Sequence, residues 1–381
     1  MGQAGPCAGY RVLDFSRFVA GPYCGQILAD LGAEVIKVEE AAGEVMRHGQ
    51  VVHNGMASSF EQYNRGKKSI VPDLKTERGR AAIRALAKTA DVVMENFRPG
   101  VMEKMGLGYD DLREINPRLI YLKISGYGET GPYVDRPAFD QVIQGVIGFM
   151  PVQGAGGEPT PIYCSAGDKV TATWGANAVL GALLHRERTG EGQRISTSLL
   201  SAYSAFMLTE QMINHTFQDI GAQNIPYSTE SFSPHRTKNG YVVGLILMPH
   251  QFDGFCAAID RPDIHADPRF ASPMLRVANA RALIDAAADT MRTITSEDFV
   301  ERAAKYDVPF AKVNNVEEFF EDPQVRASEC VVDFKDEELG VVRHLNHPVT
   351  YEKSPADVRR RAPHLGEHND EIAAELGVPL A

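Results

Sequence analysis

At 381 residues with 44% hydrophobic content, the chain is too long for one ordinary core and rich enough in apolar side chains to build two. A formal net charge of −11 argues against wholesale binding to nucleic acid or to a membrane surface, while leaving room for a local basic cluster that holds a phosphorylated small molecule. Five scattered cysteines, Cys7, Cys24, Cys164, Cys256 and Cys330, argue against a structural zinc and suit reduced thiols in a cytoplasmic protein.

In chain order, short apolar runs alternate with helical patterns. Extended runs are expected at Tyr10–Phe15, Glu34–Val38, Asp91–Glu95, Leu119–Ile124 and Arg194–Thr197. Helices are expected near Cys24–Leu31 and Arg78–Thr89, from Lys169 on, and from Leu199 to about His215. This alternation predicts an α/β fold with a parallel sheet and crossover helices. Polar, Gly- and Pro-containing sequence over 218–233 reads as a linker closing a large domain over 1–217. A small α+β domain is then expected over 234–330, with a strand at Tyr241–Met248 and helices near Phe252–Ile259, Asn279–Arg292 and Ser296–Lys305. The segment 331–381 opens with two extended runs joined by Asp336–Gly340. Met1–Arg11 shows no basic stretch followed by an apolar run, and nothing elsewhere is long and apolar enough to span a bilayer, so no membrane association is expected.

In parallel α/β sheets the loops after the strands form the ligand crevice, so chemistry should gather after Phe15, Val38, Glu95 and Ile124. The loop Ser16–Gln26 enters a helix directly but lacks a GxGxxG fingerprint, which disfavours a dinucleotide. The match at Gly126–Gly131 is followed by Pro132 and opens no helix. Asn64–Ser69 and Glu95–Gly100 bring four cations and two amides to strand ends, with Lys75 and Lys104 close behind; Arg98 beside Phe97 suits a base stacked on the ring and a phosphate held by the guanidinium. Signatures of serine hydrolases, zincins, P-loops and kinases are absent.

The stretch Ser165–Ala172 aims Asp168 at the start of an apolar helix. Two readings stand: an N-cap satisfying a free backbone N–H, or a nucleophile kept ionised by the helix dipole and Lys169. Gly167 leaves room beside it on one side.

Taken together, Val12–Ser16, Gly21-Pro22, Leu31–Glu39, Asn64–Lys67, Glu95–Gly100, Ser125–Gly128, Gly167-Asp168, Arg188–Gln193 and Ala362–His368 resemble the class III CoA-transferases, a family that also contains the α-methylacyl-CoA racemases. The resemblance implies a Rossmann-like large domain built from both chain ends, a small inserted domain and a homodimer of interlocked, ring-like subunits. It places the catalytic aspartate on Asp168. Coenzyme A, as substrate, is implied to contact Val19, Ala20, Leu74, Lys75, Asn96, Phe97, Arg98 and Lys104, with Phe139 and Asp140 near the thioester and no metal involved. Glu40 and Pro137 stand where formyl-CoA transferase has basic residues, and Arg136 is a substitute for the second. Met248, Pro249 and His250 are expected to shape the acid pocket. The reaction so implied moves CoA from an acyl-CoA donor to a carboxylic acid acceptor through an aspartyl thioester. Two alternatives remain: racemisation of a 2-methylacyl-CoA, whose histidine base is replaced here by Phe139, and a CoA-binding protein without catalysis.

Overall fold

The computed structural model describes residues 5–49, 51–155, 157–221 and 233–380. Its centre is a parallel sheet of six strands: β1 (Arg11–Asp14), β2 (Glu34–Val38), β3 (Lys68–Ile70), β4 (Val92–Glu95), β5 (Ile120–Ser125) and β6 (Arg194–Ser198). The spatial order is β3-β2-β1-β4-β5-β6, every neighbouring pair parallel. Strand order therefore reverses between β1 and β4, and in such sheets the ligand crevice opens beyond the carboxyl ends at that point.

The main helices are α1 (Ala20–Asp30), α2 (Glu77–Ala87), α3 (Asp140–Val146), α4 (Ala166–Thr189), α5 (Leu199–Met207) and α6 (Asn369–Leu376). Both faces of the sheet are covered, so its central strands are apolar in succession rather than alternating. On one face Val12, Val92, Met94, Leu122 and Ile124 pack with α1 and α4; on the other Leu13, Ile36, Val93 and Tyr121 pack with Ile83 and Leu86 of α2 and Ile372 of α6. The buried side of α4 is made largely of small residues, Ala172, Gly175, Ala176, Val179 and Ala182, while Trp174 and Leu184 are about half exposed. The large apolar residues recur at helical period, yet what decides the buried face is the close approach of α1, since a Cβ at Gly175 would lie 3.1 Å from Cys24 Sγ. The expected helix after Leu199 ends at Met207, and a separate 3-10 turn follows at Gln211–Asn214.

The chain divides into two compact units, one running up to Met212 and resuming at Ser328, the other Ile213–Ala327. In the first, Val331–Asp336 and Gly340–Leu345 form an antiparallel hairpin. The tail then covers the free edge of β3: His368 N–H donates to the Ser69 carbonyl at 3.0 Å and Val71 N–H to Asn369 Oδ1 at 2.8 Å. Covering an edge in this way blocks its pairing with other strands. Buried Glu61 fastens the same segment, accepting from Ala362 N–H at 2.9 Å and lying 2.9 Å from His344 Nε2.

The second unit holds an antiparallel sheet of β7 (His235–Arg236), β8 (Tyr241–Gly244) and β9 (Phe310–Lys312), in the order β9-β8-β7. Helices Pro249–Ala258, Ala280–Met291 and Ser296–Lys305 share its core with Phe252, Phe255, Met291 and Phe299. The strand expected to reach Met248 stops at Gly244, because Pro249 starts a helix with its fixed φ at the first position. Of the expected linker, residues 222–232 lie outside the described residues.

Candidate active site

The longest described helix, α4, begins at Ala166, so Asp168 is its third residue and Ser165 takes the N-cap position without a side-chain cap. The capping expectation for Asp168 is thereby corrected: the chain enters the helix three residues earlier than Lys169, with Ser165 at the N-cap. The Asp168 N–H, one of the first-turn donors that no helix carbonyl can satisfy, donates instead to Asp140 Oδ2 at 3.0 Å. Asp140 opens α3 and is 2% exposed. Its other oxygen accepts from Gln144 Nε2 at 2.6 Å, and Gln144 Oε1 accepts from Ile162 N–H at 2.8 Å. One turn of α3 thus ties together the loop before α4 and the start of α4.

Among the described residues no hydrogen bond is made to the Asp168 carboxylate. Burial pushes its pKa up from 3.8 to about 7, the negative charge of Asp140 pushes the same way, and Lys169 opposes both without prevailing. The expectation that helix start and Lys169 hold it ionised is corrected accordingly: desolvation outweighs one neighbouring cation. Gly167 also has a different use from the one expected. It is buried, and a Cβ there would come within 2.7 Å of the Tyr203 ring and 3.0 Å of Asp140 Oδ2, so its missing side chain lets α5 and α3 close on α4.

At the switch point, the loops after β1 and β4 are bolted together. Arg17 N–H donates to Asn96 Oδ1 at 2.9 Å and Asn96 Nδ2 donates to the Arg17 carbonyl at 2.8 Å. Arg17 stacks 5.0 Å over Phe97 and pairs with Glu40 at 3.1 Å. Val19 and Ala20 are 8% and 3% exposed, so what they offer a ligand is main chain at the start of α1, where no side chain caps the helix. Arg98, Lys104 and Lys75 are exposed and make no ion pair among the described residues. Leu74 is half-buried against the core. Arg136 stacks 3.7 Å over Tyr133 and has no acidic partner among the described residues.

Lys67 is neither of the things its place in a basic run suggests, a solvated surface lysine or a phosphate-holding cation. Its side chain is fully buried and donates to Asp14 Oδ2 at 2.8 Å, the Pro22 carbonyl at 2.7 Å and Asn64 Oδ1 at 2.8 Å, which leaves no proton for a ligand. Arg65 is committed to Asp30 at 2.7 Å, and Lys68 to Glu34 and Glu371.

Phe139 is 56% exposed, and its ring meets that of Phe18 edge-on with centroids 5.5 Å apart, bringing the first loop to the residue next to Asp140. Met248, Pro249 and His250 are exposed at the start of a helix in the second unit, His250 Nε2 lying 3.5 Å from Asp307. Sequence reading missed Phe18, Glu44, Tyr63, Gln144 and Tyr203. Only Gln144 carried a signal, four residues after Asp140 and so on the same helical face. Tyr63, whose ring packs 5.9 Å from Tyr23, has its phenol pKa raised by burial and by the charge of Asp168.

A model of the family described as CoA-transferase family III matches residues 7–369. The chain belongs to that family. It is 35% identical over 383 residues to the succinate–glutarate CoA-transferase of Agrobacterium fabrum, covering 97% of this chain and 96% of that protein. To the succinyl-CoA–D-citramalate CoA-transferase of Chloroflexus aurantiacus it is 33% identical over 378 residues, covering 97% and 94%. A solved structure of a CaiB/BaiF family protein from Brucella suis matches with a TM-score of 0.87 and 34% identity, over 98% of this chain and 100% of that one. Among the described residues there is no group of side chains able to hold a metal ion, and no helix is long and apolar enough to cross a membrane.

Proposed function

We propose that the chain transfers CoA from an acyl-CoA donor to a carboxylic acid acceptor through an aspartyl-CoA thioester on Asp168. The observation that carries this reading is the Asp168 carboxylate itself, which accepts no hydrogen bond among the described residues while its own N–H is anchored on buried Asp140. A carboxylate so desolvated is more basic than usual, hence a better nucleophile once ionised. An Asp168 oxygen attacks the donor carbonyl carbon; the C–S bond breaks, giving a mixed anhydride and CoA thiolate. The thiolate attacks the aspartyl carbonyl and expels the donor acid as its carboxylate, leaving the thioester. The acceptor carboxylate attacks that carbonyl, CoA thiolate leaves, and its attack on the acceptor half of the new anhydride releases acceptor acyl-CoA and restores Asp168. No net proton is consumed.

CoA is held by main chain at Val19 and Ala20, by Leu74 and Lys75, and by Asn96, Phe97, Arg98 and Lys104, with Phe139 and Asp140 at the thioester end. Unpaired cations at the carboxyl ends of the strands suit its phosphates. In the homodimer that the resemblance implies, Met248, Pro249 and His250 shape the acid pocket of the other subunit, and the names of the succinate, glutarate and D-citramalate relatives favour dicarboxylic acids. The same resemblance supports a cytoplasmic homodimer of interlocked subunits, and Trp174, Leu184 and Phe206, left 49%, 53% and 62% exposed by a single subunit, suit such an interface. Racemisation lacks its second base, since the Phe139 ring has no proton to exchange at neutral pH.

Incubation with acyl-CoA donors and a panel of acids, followed by mass spectrometry, tests the reading. Wild type should form a CoA adduct on Asp168 and rise in kcat/KM through pH 7 as the carboxylate ionises. Asp168→Ala should lose both adduct and transfer while still binding CoA; a fully active variant would sink the covalent route.

A further inference from the structure

Phe18 has φ of 65°, a left-handed backbone that a bulky residue adopts only when its surroundings hold it there. The hold is extensive. Ser16 N–H donates to Asp14 Oδ1 at 2.9 Å and the buried Lys37 Nζ to the Ser16 carbonyl at 2.8 Å. Asn96 grips both polar groups of Arg17, and Phe18 N–H donates to Glu44 Oε2 at 2.9 Å. Glu44 is itself buried and paired with Lys37 at 3.1 Å. The result of this restraint is an aromatic ring presented to solvent, 42% exposed, against a second exposed ring, Phe139. Burial gains little from such an arrangement, so a use outside folding is indicated. The place suggests which: Phe139 directly precedes Asp140, whose carboxylate carries the Asp168 N–H.

We propose that Phe18 and Phe139 form an aromatic shield beside Asp168 that keeps water from the aspartyl-CoA thioester, so that the intermediate passes to an acid rather than to hydrolysis. The inference rests on the covalent reading above. In the competing reaction a water oxygen attacks the aspartyl carbonyl carbon, the C–S bond breaks, CoA leaves as the thiol with a proton from that water, and Asp168 returns as carboxylic acid or carboxylate. Two rings beside the carbonyl would remove water-sized space, whereas an acceptor with a carbon chain would gain apolar contact from them. Glu44 is a positioning residue in this scheme, acting through the Phe18 backbone.

The test compares full-length wild type, Phe18→Gly and Phe139→Ala, supplied with succinyl-CoA with and without glutarate. Thiol release reports hydrolysis, glutaryl-CoA reports transfer, and mass spectrometry reports the Asp168 adduct. Both variants should raise the ratio of hydrolysis to transfer about tenfold. Phe18→Gly should do so without lowering the melting temperature, because glycine adopts the left-handed backbone freely. An unchanged ratio, with the adduct present in wild type, overturns the shield alone. Absence of any adduct in wild type overturns the covalent reading and the shield with it. If Phe18→Gly fails to fold, Phe139→Ala decides by itself, since that ring is mostly exposed and its side chain caps nothing.

Discussion

Asn64–Ser69 and Glu95–Gly100 look alike in the sequence, each setting an asparagine beside cations near a strand end, yet they do opposite work. In the first, Lys67 and Arg65 are buried and every charge has a partner, Asp14 and Asp30 respectively. In the second, Glu95 is paired inward with Lys123 at 2.6 Å while Arg98 stands exposed with no ion-pair partner among the described residues. A cation that has given its protons to buried acceptors is part of the scaffold, and only one with protons to spare can bind a phosphate. Asp168 is a third case, largely buried with no ion-pair partner among the described residues, and its raised pKa is the consequence.

These three kinds of charge separate sharply under mutation. Lys67→Ala should cost the most, about 3–5 kcal/mol of unfolding free energy, because it leaves the Asp14 carboxylate buried without its cation; urea unfolding measures it, and a loss below 1 kcal/mol would place Lys67 with the surface lysines. Asp168→Asn should act in the other direction. With the folded pKa above the ordinary 3.8, the native state holds the proton more tightly, so the wild type is unpenalised below about pH 4 and progressively destabilised as pH rises through 7. The variant should be more stable than wild type at pH 8 by about 2 kcal/mol, a value discounted for partial exposure, with the gap closing toward pH 4. Melting curves at the two pH values would show it, and a gap independent of pH would contradict the assignment. Arg98→Ala should have the smallest energetic effect, about 1.4 kcal/mol or a tenfold rise in KM for acyl-CoA, diminished by salt and with unfolding unchanged. A loss of stability instead would erase the contrast between the two loops.

Much of the scaffold was legible because its signals are local. The runs at β1, β2, β4 and β5 are largely apolar in succession, as strands buried on both faces must be, and the helices between them carry their own period. The three-residue β3 escaped notice, since Lys68-Ser69-Ile70 reads as a basic loop and becomes a strand only through its pairing with β2 and its cover from the tail. Of the site, Asp168 and the cations after β4 were visible by residue type and position. Asp140 was placed beside the thioester, but nothing in its surroundings announced that it would be buried and hold the Asp168 N–H. Phe18 gave no sign either, for neither its left-handed backbone nor its contact with Phe139 is coded in its neighbours.

What the sequence determined by itself was the alternation that makes a parallel sheet, the loops that follow its strands, and a carboxylate at the head of a helix. Tertiary structure alone decided which charges are spent inside and which remain free, and it raised the Asp168 pKa to about 7 where the sequence pointed to a fully ionised carboxylate. The physical reason is that desolvation and charge pairing depend on distances between segments far apart in the chain, as between Asp14 and Lys67 or Asp140 and Asp168, whereas helical period and strand alternation are properties of neighbours.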